Sequence, residues 1–415
     1  MGVDTTKTAA AREKKTAVRK TGSKGKGAKS KEPRKYNVDV KCSVDVGAKA
    51  RNRGPEEAQA KSTGAIGAKF KKGGNNNDKT NKSASELGAP RDARSKACAR
   101  WMEEVLSMGL RGIRKEFIQT VKPYQPTGST EICVDHNALN RYEDVFCLDK
   151  TRVKLKNNPE GDDYIHASFV EVHPDLIYIC AQGPMSNTVS HFWLMVLQEG
   201  TKVVLQLCQF TEDGKEKCNE YYPQPGEGND WKTYGCVLVR VVDRNTNVGG
   251  MKKVTKSKMQ VKLDEKDAKV HELTHIYYYG WPDHSVAESV ATCKEVRNLV
   301  HRTYEKKPIV AHCSAGIGRT GTFAMIELVC HRLLVKNDSD FKMADVTKEL
   351  REQRMHAIQN DQQYVFVFRC VLEILLAEDA LPKSAEVTKF IQDYESLITR
   401  KKAERTSKCP SRKAE

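Results

Sequence analysis

The sequence predicts an α/β fold: a single domain built on a central mixed, twisted β-sheet with helices on its flanks, preceded by a disordered basic arm. Three observations predict it. Short apolar runs lie at 163–170 (DYIHASFV), 177–181, 202–208, 234–242, 272–278 and 308–312, each about the length of a strand. Stretches of helical periodicity are set among and after them, at about 187–199, 288–305, 319–335, 343–354 and 361–378, the interleaving expected of strands joined by helices. Charge is divided along the chain: residues 1–99 hold 25 basic against 10 acidic residues, 399–415 seven against two, and 100–398 are left with 38 against 42. The segment able to fold is therefore close to neutral, and the basicity belongs to the ends.

The elements follow in chain order. Residues 1–98 are rich in Lys, Ala, Gly, Ser and Thr and poor in large apolar side chains, as in KTGSKGKGAKSKEPRK at 20–35. Such a segment cannot bury enough surface to offset chain entropy, so it is expected to be a disordered basic arm. It opens with MGVDTT, in which Gly2 and Thr6 fit the pattern for N-myristoylation, and the polybasic stretch behind it could supply a second anchoring signal. The expected partner of the arm is an anionic membrane surface or an acidic protein. Without interleaved aromatic residues, contact with nucleic acid would be nonspecific at most.

The domain is expected over 99–380. It begins with a stripe through Trp101, Val105, Met108 and Phe117 at helical spacing, with Ser95 or Asp92 as a cap. A last stripe, through Val387, Phe390, Ile391, Tyr394, Leu397 and Ile398, is expected to pack back on the domain, making 381–415 a C-terminal amphipathic helix followed by a basic tail. Thirteen cysteines without CxxC pairs point to free thiols in a reducing compartment, hence to a cytoplasmic location, with the nucleus left open. No apolar run approaches the ~18 residues of a membrane span.

HCSAGIGRTG, residues 312–321, lies between the apolar run PIVAH and a helical stretch beginning near Arg319. The backbone N–H groups of a strand-to-helix loop converge on one point, reinforced by the positive end of the helix, and bind an anion there. Gly316, Gly318 and Gly321 allow the tight curvature. A thiolate on Cys313, at the head of that cradle, would face the same point, and the planar fork of Arg319 could hold two phosphate oxygens beside it. Nucleophile and anion clamp on one phosphorus atom imply phosphoryl transfer to sulfur followed by hydrolysis.

The spacing H-C-x-x-G-x-x-R-T is the signature of cysteine-dependent phosphatases. The blocks NRYEDVFCLDKTRVKL (140–155), DYIHASFV (163–170), AQGPMSNTVSHFWLMV (181–196), EDGKEKCNEYYP (212–223), YYYGWPDH (277–284) and QNDQQYVF (359–366) resemble the phosphotyrosine-specific protein tyrosine phosphatases, non-receptor type, over about 100–378. The resemblance implies a protein-tyrosine phosphatase acting on phosphotyrosine-containing proteins, with neither metal nor cofactor. Cys313 would be the nucleophile, Arg319 the phosphate clamp, Asp283 the general acid and later base on a mobile loop anchored by Trp281, and Gln359 the residue that orients water. Phosphate would lie on the loop formed by Ser314, Ala315, Gly316, Ile317 and Gly318. The ring of Tyr142 would set pocket depth, Asp144 would bond the substrate main chain, and Gln363 would contact phosphate or water. His312, Thr320, Glu212, Lys217 and Gln182 are implied as supports.

Some positions depart from the family pattern. Ser285 and Ala287 stand where the acid loop customarily has Gly and Pro, His166 replaces an Asn, Tyr279 a Thr, and His356 occupies the approach to the glutamine segment. The alternative reading is a phosphotyrosine-binding pseudophosphatase or scaffold whose acid loop closes poorly. The joint presence of Cys313, Arg319 and Asp283 favours the enzyme.

Overall fold

The computed structural model describes residues 91–408. The arm over 1–90, with Gly2 and Thr6, and the tail beyond 408 lie outside the described residues. The first helix, α1 (Arg91–Glu116), bends at Gly109, whose φ is +55°. It starts ahead of the boundary expected at 98/99, because Ala97 and Cys98 are already buried with Trp101, Met102 and Val105.

Nine strands form one sheet: β1 (Arg152–Lys154), β2 (Tyr164–His173), β3 (Leu176–Ala181), β4 (Val203–Gln206), β7 (Lys232–Tyr234), β8 (Val237–Asn245), β9 (Val254–Leu263), β10 (His271–Tyr278) and β11 (Ile309–His312), in the order β1-β2-β3-β11-β4-β10-β9-β8-β7. A separate hairpin pairs β5 (Thr211–Glu212) with β6 (Lys215–Glu216). The middle strands β3, β11, β4 and β10 are parallel and both wings antiparallel. Such a mixed sheet follows from the sequence: β11 (IVAH) and β4 (VVLQ) are buried at every residue, as strands covered on both faces must be. In β9 (VTKSKMQVKL), buried Ser257, Met259 and Val261 alternate with lysines and Gln260, the pattern of a sheet with one solvated face.

The helices are α2 (Glu131–Asp135), α3 (Val189–Gln198), α4 (Val290–His301), α5 (Arg319–Cys330), α6 (Met343–Arg351), α7 (Asp361–Ala377) and α8 (Ala385–Lys408). Caps fix several starts: the Ser289 side chain accepts from Thr292 N and the Asn360 side chain from Gln363 N, satisfying donors a helix N-terminus leaves open. α5 is buried along its whole length and packs with α6 and α7, while α1 lies against α7 and α8. In α8 the expected stripe of Val387, Phe390, Tyr394 and Leu397 is buried in the main core. No described helix is long and apolar enough to cross a membrane.

Candidate active site

Each of the four parallel strands delivers one part of the site from its carboxyl end, the edge where open α/β sheets bind ligands. β11 runs into the loop 313–318, β10 into the segment holding Asp283, β4 into the β5–β6 hairpin, and β3 into Gln182 and Gly183. The loop closes on itself: Cys313 Sγ accepts from Gly316 N at 3.2 Å, and α5 then begins at Arg319. Gly316 has φ +71°, and a Cβ there would overlap the Ala181 carbonyl, so glycine is required by both backbone and space. At Gly318 a Cβ would run into the Gln359 side chain, which puts that glutamine directly over the loop.

The loop carbonyls are turned outward by a residue the sequence reading left aside. Arg354 is fully buried and donates to Gly316 O (3.1 Å), Ala315 O (2.9 Å) and Ser168 Oγ (3.2 Å). Its Nη2 also faces His166 Nδ1 at 3.1 Å, while His166 Nε2 reaches Val145 O at 2.8 Å. This requires a neutral imidazole with its proton on Nε2, and burial together with the neighbouring Arg354 lowers its pKa to about 3. His166, one of the departures, is thus a relay in the buttress under the loop. Nearby Cys147 is a packing group, its thiol pushed up by burial.

Arg319, 1% exposed, is the hub of the site. Its Nη1 bonds Glu212 Oε1 at 2.6 Å and Trp281 O at 3.0 Å, and its Nη2 bonds Asp283 Oδ1 at 3.1 Å. Lys217 Nζ holds the other oxygen of Asp283 at 2.7 Å. Burial raises the proton affinity of the Asp283 carboxyl, but Arg319 and Lys217 outweigh it and hold the carboxyl below its ordinary value. The guanidinium is likewise kept charged against its burial by Cys313, Cys208 and Glu212.

The remaining expected residues surround this hub. Tyr142 OH is 2.7 Å from Ser314 Oγ, and its ring packs with Val145, Ala315 and Ile317. Gln182 accepts from Arg141 N (2.9 Å) and donates to Leu139 O (2.8 Å), so it secures the segment that carries Tyr142. Asp144 is exposed at the rim. Trp281 Nε1 donates to Ser285 O at 3.0 Å, closing the segment that holds Asp283 on itself. His312 lies beneath, with Nε2 2.8 Å from Tyr221 OH and Nδ1 3.3 Å from Cys313 O. Thr320 Oγ1 is buried without a protein partner. Gln363 is buried beside the loop: its Oε1 accepts from Gln359 N at 3.0 Å, its Nε2 points at Ser285 O at 3.5 Å, and a Cβ on Gly318 would lie 3.1 Å from that Nε2. It thus lies between the glutamine segment and the segment that holds Asp283. His356, at φ +63°, faces the Phe146 ring with 6.3 Å between centroids.

Among the described residues, Cys208, Cys218 and His312 bring two sulfurs and a nitrogen within 4.8 Å of one another. The ring nitrogens of His312 face Tyr221 OH and the Cys313 carbonyl, Cys218 Sγ also donates to Asn219 O at 3.3 Å, and Cys208 is hydrogen-bonded to both Cys218 and His312. No disulfide joins the described cysteines.

The model of a sequence family described as protein-tyrosine phosphatase matches residues 136–373. Tyrosine-protein phosphatase non-receptor type 9 of Mus musculus is 32% identical over 292 residues, covering 66% of this chain and 48% of that protein. Tyrosine-protein phosphatase non-receptor type 18 of Mus musculus is 34% identical over 243 residues, covering 57% and 51%. The chain spans about half the length of these curated relatives. A solved structure described as the structural basis of the PTPN18 fingerprint on distinct HER2 tyrosine phosphorylation sites superposes with a TM-score of 0.56 at 25% identity, covering 68% of this chain and 99% of that one.

Proposed function

This chain belongs to the protein-tyrosine phosphatase family, and on that footing we propose that it hydrolyses phosphotyrosine in proteins through a cysteinyl-phosphate intermediate. The observation that carries the reading is the junction at Arg319: one guanidinium, one turn from the Cys313 thiol, also holds the carboxylate of Asp283. In this reading nucleophile, anion clamp and proton donor act together on one phosphate.

In the first step Cys313 Sγ attacks phosphorus, the bond to the phenolic oxygen breaks, and Asp283 delivers its proton to the departing oxygen. In the second, a water oriented by Gln359 gives its proton to Asp283 and its oxygen to phosphorus, and the sulfur leaves as thiolate. The lowered pKa of Asp283 belongs to the unliganded site, where Arg319 and Lys217 face it. A phosphate dianion on the Arg319 fork would neutralise that field and add like charge, so the carboxyl would take up the proton it must donate. The loop amides and Arg319 stabilise the charge on the equatorial oxygens.

Tyr142 walls the pocket, so an aryl ester reaches the buried sulfur and a shorter phosphoserine does not. The domain organisation that goes with this reading is a phosphatase domain beginning at α1 and braced by α8, with the basic arm ahead of it, acting in the cytoplasm on phosphotyrosine proteins. Kinetics on matched phosphotyrosine and phosphoserine peptides test the assignment: turnover of the first alone is expected, and equal turnover would contradict the role given to pocket depth.

A further inference from the structure

We propose that Arg405, near the end of α8, is a positioning residue that latches the acid loop in its closed position through the main-chain carbonyl of His284. The proposal rests on the reading of Asp283 as the general acid. The buried stripe of α8 runs Val387, Phe390, Tyr394, Leu397, and continuing that spacing by one turn and then another leads through Lys401 to Arg405. A helix seated by those side chains carries Arg405 to the acid loop, where its Nη2 donates to His284 O. The same oxygen faces Asn360 Nδ2 at 3.3 Å.

The loop has a specific need for such a hold. His284 directly follows Asp283 and adopts φ +49°, a left-handed conformation that is uncommon for a residue with a Cβ and benefits from a contact that holds it. Ala287 occupies a place where Pro would pre-set the backbone, so the open loop has more conformations to lose on closing there. The Ser285 carbonyl is already taken by Trp281, with Gln363 Nε2 also directed at it. Arg319 and Lys217 hold the loop at Trp281 O and Asp283, and Arg405 adds a hold from α8 at the His284 carbonyl, to which a guanidinium is a strong donor. Arg405 itself is exposed, so its loss removes the latch without opening a hole in the core.

Amide hydrogen exchange over 280–288 in the full chain tests the latch whether or not the chain turns over phosphotyrosine. Ser285 N bonds Pro282 O at 3.2 Å and Glu288 N bonds Gly280 O at 2.9 Å, so these amides report loop opening. Arg405→Ala should speed their exchange severalfold while leaving β10 unchanged, and Arg405→Lys should restore part of the protection. In parallel, kcat for a phosphotyrosine peptide should fall about tenfold, the effect of one hydrogen bond from a charged group. KM should change little, and the fall should be smaller for an ester of an acidic phenol that needs no proton. Unchanged exchange in Arg405→Ala overturns the latch. So does a rate loss equal across leaving groups. A wild-type chain without phosphotyrosine turnover would instead count against the phosphatase reading, with the exchange result still deciding the latch.

Discussion

Lys217 and Asp283 meet at 2.7 Å, both largely shielded from solvent, so the β5–β6 hairpin and the acid loop are fastened to each other as well as to Arg319. Asp283 is thereby held from two sides, by Lys217 and by Arg319, and the arrangement places consequences on each member of the set.

Asp283→Asn should slow cleavage of phosphotyrosine peptides by roughly 10² or more, the usual range for a lost general acid. Esters of strongly acidic phenols should be affected less. Steady-state rates on a series of aryl phosphates check this, and a uniform loss would make Asp283 structural.

Arg354→Lys should destabilise the domain by about 3 kcal/mol, because a single ammonium cannot satisfy the Gly316 and Ala315 carbonyls together and leaves buried acceptors unpaired. Binding of a phosphate-like oxyanion should weaken with it. Urea unfolding and oxyanion titration separate the two effects.

Acid stability should depend on Glu327, which is fully buried and bonded to Arg297 (2.9 Å), His301 (2.9 Å) and Tyr178 (3.0 Å). Burial opposes its charge, but Arg297 and His301 outweigh it and lower its pKa from 4.5 to about 2. The folded value lies below the unfolded one, so this stabilisation is complete above about 4.5 and is lost as pH falls toward about 2. It amounts to ~3 kcal/mol. Glu327→Gln should remove most of that pH dependence and lower stability at neutral pH, as thermal melts across this window would record.

Deleting residues 1–90 should leave turnover of a small aryl phosphate within about twofold, since every group named in the site lies beyond them. The same deletion should weaken co-sedimentation with anionic vesicles at low salt, an attraction of about 1 kcal/mol for each basic residue near the surface. A deletion reaching residue 104 should instead unfold the domain, because it removes Cys98, Trp101 and Met102 from the core.

Much of this was legible in the sequence for identifiable reasons. The cradle could be read because its chemistry depends on local spacing, with Cys313 and Arg319 on one turn. The parallel strands and the long helices announce themselves by apolar runs and periodicity. β9 was missed because Ser257 and Thr255 thin the apolar half of its alternation and leave a mostly polar run, and β5, β6 and β7 because two or three residues leave no periodicity. The start of α1 escaped because Arg91–Lys96 read as part of a charged arm, and only packing shows Ala97 and Cys98 to be interior. Arg354 looked like an ordinary charge, since its function lies in carbonyls that are distant in sequence. The hold of Gln363 on the acid loop was hidden for the same reason.

The central claim, hydrolysis through phosphate carried on Cys313, is tested most directly by acid-quenching the protein during turnover of a radiolabelled phosphotyrosine peptide and mapping the bound phosphate. Label on Cys313 is expected, accumulating when Gln359→Ala slows the attack of water and absent in Cys313→Ser together with all turnover. Continued turnover by Cys313→Ser, or label on any other residue, would contradict the account.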